Sequence, residues 1–141
     1  MERTIAIIKP DAVRGHHVGE IIAAVEAQGL TIEAMEFMRL TKEQARGFYS
    51  VHEGKHFFER LLDYMTSGPI VAMVLSGDDA ITRWRSLMGP TNPESAGPET
   101  LRGRFGESLT FNAVHGSDAS ETASYEMSYL FGGRYLNGLR R

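Results

Sequence analysis

Apolar positions along the chain fall into short blocks, and the spacing within each block predicts an element. Residues 4–8 are almost wholly apolar and read as a buried strand. It stops at Lys9-Pro10-Asp11, where proline removes a backbone donor and fixes φ. Val18, Ile21, Ile22 and Val25 recur at i, i+3, i+4 and i+7 and predict one face of a helix, with Gly29 as its stop. From 31 to 40 the pattern alternates. Ile32, Ala34, Met38 and Leu40 are assigned to one face of a strand and Thr31, Glu33 and Arg39 to the other, with Glu36 as the flaw. Thr41-Lys42-Glu43-Gln44 matches a capping box and opens a short helix. Phe58, Leu61, Leu62 and Met65 mark a further helix, closed near Gly68-Pro69. The continuous apolar run 70–75 predicts a strand covered on both faces. Ser76-Gly77-Asp78-Asp79 then reads as the cap of a helix ending near Met88.

Between 89 and 106 the texture changes, with Gly89, Pro90, Pro93, Gly97, Pro98, Gly103 and Gly106 in close succession. A long loop of this kind inside a compact domain points to function, and it carries Thr91, Asn92, Arg102 and Arg104. A short strand is expected over 111–114. Ser117 or Asp118, with Glu121 following, is expected to cap a helix bearing Ala119, Ala123, Met127 and Leu130. The tail 132–141, with paired glycines and a basic end, is expected to be irregular. The order β-α-β-(αα)-β-α-loop-β-α predicts an α+β, ferredoxin-like βαββαβ core: a four-stranded antiparallel sheet with helices on one face, in a single domain over 1–141.

Composition narrows the function classes. The 141 residues include 42% apolar and 23% charged side chains, ordinary for a globular protein with its own core. Without cysteine there is no disulfide framework, thiolate zinc site or thiol nucleophile. A formal net charge of −3 argues against a dedicated duplex-DNA binder. The apolar run near the N-terminus is too short for a secretory signal, and no run approaches the ~18 residues of a membrane span, so a soluble intracellular protein is expected.

His52-Glu53-Gly54-Lys55-His56 fits the H-E-x-x-H zinc pattern, but Gly54 costs a helix about 1 kcal/mol relative to alanine and no third ligand follows at a usual spacing. Gly54-Lys55 lacks the remainder of a P-loop, so any phosphate must be held by side chains. Lys9, Arg85 and Arg102, at element ends and in the unusual loop, are the candidates. His115, in Asn112-Ala-Val-His115-Gly-Ser-Asp118, comes off a strand toward a helix start. A helix start disfavours an imidazolium and favours anions, which suits a neutral nucleophile facing phosphate. Two rival readings are a zinc hydrolase on His52 and His56 and a non-catalytic RNA-binding sheet. For the latter, Arg104-Phe105-Gly106 is only a fragment of the expected aromatic motif.

Taken together, Ile8-Lys-Pro-Asp11, Val18-Gly-Glu-Ile-Ile22, Gln44-Ala-Arg-Gly-Phe-Tyr49, Phe57-Phe58, Thr66-Ser-Gly-Pro69, Gly89-Pro-Thr-Asn-Pro93, Thr100-Leu-Arg-Gly103 and Asn112-Ala-Val-His-Gly-Ser-Asp118 resemble the nucleoside diphosphate kinases, from residue 2 to about 131. The resemblance implies reversible transfer of a γ-phosphate from a nucleoside triphosphate to a nucleoside diphosphate through a phosphohistidine. His115 matches the phosphorylated residue and Glu126 the carboxylate that orients it through the other ring nitrogen. Lys9, Tyr49, Arg85, Thr91, Arg102 and Asn112 match residues around the phosphates and ribose. Phe57 matches the aromatic stacked on the base, flanked by Leu61 and Leu109. Mg²⁺ is implied, held mainly by the nucleotide phosphates, as are a cytoplasmic location and a homo-oligomer, a tetramer or hexamer built from dimers, with no membrane and no dedicated nucleic-acid partner. Ala12, the Arg14-Gly15-His16-His17 stretch, His56 and Pro98 depart from the usual pattern without removing a catalytic position.

Overall fold

The structure is a computed structural model and describes residues 1–139. Its first strand, β1 (Glu2–Ile8), is buried on both faces: Ile5 and Ile7 enter one apolar core, Ala6 and Ile8 another. There follow α1 (Pro10–Arg14), α2 (Val18–Ala27), β2 (Thr31–Met38), α3 (Lys42–Phe48), α4 (Phe58–Met65), β3 (Ile70–Gly77), α5 (Ala80–Met88), α6 (Leu101–Phe105), β4 (Val114–Gly116) and α7 (Ser120–Leu139). The sheet runs β2-β3-β1-β4, every neighbour antiparallel, which is the expected ferredoxin-like topology.

Helices cover both faces rather than the one expected. Ile21 and Val25 of α2 and Trp84 and Met88 of α5 pack on one side, with Val71, Met73 and Leu75 of β3. Phe48 of α3, Leu62 of α4 and Phe131 of α7 pack on the other, with Ile70, Ala72 and Val74. The unbroken apolar run of β3 requires this, since both sets of alternate side chains need cover.

β2 departs from simple alternation. Ile32 pairs with Leu75 and Ala34 with Val74, so Glu33 is an extra residue in a bulge. The bulge reverses the parity: Ile32 joins the α2/α5 core, whereas Ala34 and Met38 join the other, so the four residues assigned to one face are split. The Thr41/Gln44 capping box is present in full. Asp79, in contrast, does not cap α5 with its side chain. Glu2 Oε1 accepts from the Ile81 amide at 2.9 Å instead, so the first strand caps a helix far along the chain.

The Gly/Pro-rich stretch has structure of its own, a 3₁₀ turn at Pro93–Ser95 and α6. The last strand lies later than expected, at Val114–Gly116, so His115 is within it rather than beyond its end. Residues from 132 onward continue helically to Leu139 past a break at Gly132 (φ 57°), correcting the expected irregular tail; its basic end, Arg140 and Arg141, lies outside the described residues.

Register on β4 sets the site. Val114 and Gly116 pair with Ile8 and Ala6 and face α5, while His115 pairs with Ile7 and faces α3 and α7. A Cβ at Gly116 would stand 2.6 Å from Trp84 Cδ1 and 2.8 Å from Met88 Cε, and Trp84 Nε1 donates to the His115 carbonyl at 3.1 Å. Gly116→Ala should therefore destabilise the fold by about 1–3 kcal/mol, as overpacking does. A thermal midpoint equal to that of the unsubstituted chain would contradict the close packing.

Candidate active site

The segments that meet at the ends of β1 and β4 are tied together at Ala113. Its φ is 75°, in the left-handed region that a residue with Cβ avoids. Three hydrogen bonds hold it there. Its carbonyl accepts from the Lys9 amide at 2.8 Å, its amide donates to Asp11 Oδ2 at 3.1 Å, and the Val114 amide donates to the Asn112 carbonyl across it at 2.9 Å. Asp11 Oδ1 in turn accepts from the Tyr64 hydroxyl. The bonds offset a strain of about 1–3 kcal/mol and fix the directions in which Asn112 and His115 leave the turn.

His115 has its Nε2 3.0 Å from Glu126 Oε1, and the same oxygen accepts from Ser117 Oγ at 2.8 Å. Glu126 is buried on α7. An ionised carboxylate only accepts, so Nε2 carries the proton and the Nδ1 lone pair is left for chemistry. The rings of Phe48 and Tyr49 stand edge-on to the imidazole, with centroids at 5.4 and 5.8 Å. Ser117 thus serves Glu126 rather than capping a helix.

Lys9 and Arg102 are buried, at 7% and 9% exposure. Lys9 Nζ donates to Asn112 Oδ1 at 2.7 Å, and Asn112 Nδ2 donates to the Thr91 carbonyl at 3.0 Å. Burial first, and the nearby Arg102 second, lower the Lys9 pKa to about 7, against the opposing pull of Asp11. Arg102 donates to the Gly89 and Val114 carbonyls at 3.0 and 2.9 Å, tying the start of the long loop to β4. Its pKa falls to about 10, mainly by burial and then by Arg85. Arg102 Nε and the Tyr49 hydroxyl are buried without a hydrogen-bond partner among the described residues. Burial, and then the charge of Glu126, push the Tyr49 phenol up. Arg85, exposed, pairs with Asp118 at 2.9 Å. Side-chain cations, an amide and unspent donors therefore converge beside His115, in an arrangement suited to an anion with several oxygens.

Phe57 lies at the lip, at the entrance to α4, with the His52 and His56 rings at 5.4 and 5.6 Å. Leu61, one turn further, packs partly into the core. Leu109 is 61% exposed on the loop opposite α4, lining a cleft of about 660 Å³ with Arg60, Tyr64 and Phe111. The residues that sequence reasoning passed over are Phe48, Asp11, Tyr64, Ser117 and Trp84. Asp11 and Ser117 stood inside the quoted motifs, where their partners were invisible. Tyr64 and Trp84 lie within α4 and α5, where no local pattern marks their partners.

The rival readings fail on geometry. His52 ends a 3₁₀ turn, Gly54 has φ 89° and His56 precedes α4, so the two histidines do not share a helix face. Arg104 and Phe105 lie on α6, where Phe105 stacks on His17 at 4.3 Å, and both faces of the sheet are covered by helices.

A family model described as nucleoside diphosphate kinase matches residues 2–135. The nucleoside diphosphate kinase of Desulfovibrio desulfuricans is 59% identical over 133 residues, 94% of this chain and 96% of its own. The solved nucleoside diphosphate kinase of Aquifex aeolicus superposes with a TM-score of 0.93 at 42% identity, covering 95% of this chain and 97% of its own. That of Halobacterium salinarum, solved in complex with CDP, superposes at 0.91 with 39% identity, covering 95% and 90%. With its histidine on the final strand and its surrounding cations on the same scaffold as these relatives, the chain belongs to the nucleoside diphosphate kinase family.

Proposed function

We propose that His115 carries the phosphoryl group in this chain, and the observation that supports the assignment most is its Nε2 contact with buried Glu126. The family's reaction is this chain's activity: the terminal phosphate passes from a nucleoside triphosphate to a nucleoside diphosphate through a phosphohistidine. Nδ1 attacks the γ-phosphorus, an N–P bond forms, and the bond to the β-phosphate oxygen breaks. The diphosphate leaves, and a second diphosphate takes the group back by the reverse step. No proton leaves the ring: the Nε2–H goes on donating to the Glu126 carboxylate, which stabilises the positive charge the imidazole gains. Arg102 through Nε, Lys9, Arg85 and Asn112 meet the phosphate oxygens, and such fixed donors act mainly by positioning and electrostatics. The Tyr49 hydroxyl and Thr91 serve the phosphates and ribose, and Phe57 stacks on the base between Leu61 and Leu109.

The family uses Mg²⁺. The donor set fits an ion brought in on the nucleotide: the converging side chains are cations and an amide, and Asp118, at Arg85, is a hard oxygen donor at the rim. When bound, the ion neutralises phosphate charge. Among the described residues no helix is long and apolar enough to cross a membrane. We place the chain in the cytoplasm with its nucleotide substrates, acting as one domain. Edge strand β2 exposes Met35 and Phe37, which supports a homo-oligomer.

With Mg-ATP and no acceptor, the protein should release ADP in a burst and carry an acid-labile, base-stable phosphate. His115→Ala should abolish the label, while His52→Ala and His56→Ala retain it. Labelling that persists without His115 would overturn the assignment.

Lys9, held near neutrality in the empty site, regains its proton when a triphosphate arrives. Nucleotide binding at about pH 8 should take up close to one proton through Lys9, and at about pH 6, where Lys9 is already charged, almost none. Calorimetry in buffers of different ionisation enthalpy measures this, and Lys9→Met should remove the Lys9-dependent part. Equal uptake in the variant counts against the role.

Stacking on Phe57 uses a π-face common to all bases and worth about 1–3 kcal/mol. Turnover with adenine, guanine, cytosine and uracil nucleotides should agree within about two decades, and strict use of one base would contradict the stacking role.

A further inference from the structure

Helix α7 grips α3 through two tyrosines, and α3 supplies the rings that stand against His115. The Tyr125 hydroxyl donates to the Gly47 carbonyl at 2.7 Å. That carbonyl also accepts a backbone N–H at the C-terminal cap of α3, so the tyrosine hydroxyl takes its second lone pair. One turn on, Tyr129 stacks on Tyr125 with ring centroids 5.9 Å apart. It lies so close over Gly47 that a Cβ there would stand 2.8 Å from its Cζ, so an added methyl group must displace the exposed Tyr129 ring. The next residue, Phe48, has its ring 6.2 Å from Tyr129 and 5.4 Å from His115, and Tyr49 follows at 5.8 Å from His115. Glu126, adjacent to Tyr125 on the same helix, bonds the imidazole directly. One helix therefore reaches the imidazole twice, through its own carboxylate and through α3.

We infer that Tyr125 and Tyr129 are positioning residues for His115: by clamping α3 at Gly47 they set the Phe48 and Tyr49 rings that confine the imidazole while Glu126 holds its far nitrogen. The inference rests on His115 being the phosphorylated residue. Both tyrosines are substantially exposed, at 45% and 39%, so loosening the clamp leaves the two cores intact. The effect is on where Nδ1 points, and small misalignments of a reacting atom lower rates steeply.

The test is the single-turnover rate of phosphohistidine formation with Mg-ATP, measured beside KM and the thermal midpoint. Tyr125→Phe removes only the hydroxyl, and Gly47→Ala displaces the Tyr129 ring. Each should slow phosphorylation about five-fold or more, with KM for ATP changed less than the rate and the thermal midpoint nearly unchanged. If the clamp works through Phe48, Tyr125→Phe should add little to the loss already caused by Phe48→Leu. Rates within about two-fold of the unsubstituted protein, a loss that follows a fallen thermal midpoint, or full additivity with Phe48→Leu would each overturn the clamp. Failure of the unsubstituted chain to label at all would instead remove the phosphohistidine assignment beneath it.

Discussion

Ala113 is held in a left-handed conformation that its own side chain resists, and the phosphate end of the cleft depends on its staying there. The constraint comes from both sides of the turn: the Lys9 amide on its carbonyl, Asp11 on its amide. Because Lys9 and Asp11 flank Pro10 at the end of β1, the first strand and the last are joined where the chemistry takes place. The same turn aims Asn112 at Lys9 and starts β4 in the register that puts His115 on the α3/α7 face. A residue free to relax at 113 would release Lys9, Asn112 and His115 together.

Much of this was legible from residues alone. The buried strand 70–75, the helix on Val18, Ile21, Ile22 and Val25 and the Thr41/Gln44 cap were carried by local periodicity and local capping, which act over a few residues. Tertiary arrangement decided the rest. The bulge at Glu33 split the apolar set of β2, and a bulge is invisible to an alternation count because it adds one residue without altering composition. The cap of α5 was misassigned because its acceptor is Glu2, far away in sequence. β4 begins late because the turn at Ala113, held by two hydrogen bonds of its own and closed by a third from Val114 to Asn112, occupies the residues before it. Motif resemblance nominated the candidate site residues as a set. Their burial was not, since Lys9 and Arg102 are the residue types expected in water.

That burial changes what the cations do. A solvated lysine keeps its charge and its hydration and gains little from meeting a phosphate. Lys9, stripped of water and pushed down toward neutrality, and Arg102, buried with one N–H unspent, are poorly satisfied until an anion arrives. The site thus stores its electrostatic demand in the empty state and releases it on binding, and little reorganisation remains for the reacting complex. Neutral aromatic walls at Phe48 and Tyr49 keep the imidazole within this field without adding charge of their own.

Arg102 holds Gly89 and Val114 with two of its nitrogens and keeps the third free. In the proposed reaction, one side chain is therefore both the staple of the long loop and a donor to the phosphate. For a lineage of such sequences, this position cannot drift toward a better staple or a better donor independently. A lysine supplies the charge but not two directed bonds to carbonyls, and an apolar residue supplies neither. On the proposed role, selection for folding and selection for turnover act on the same guanidinium.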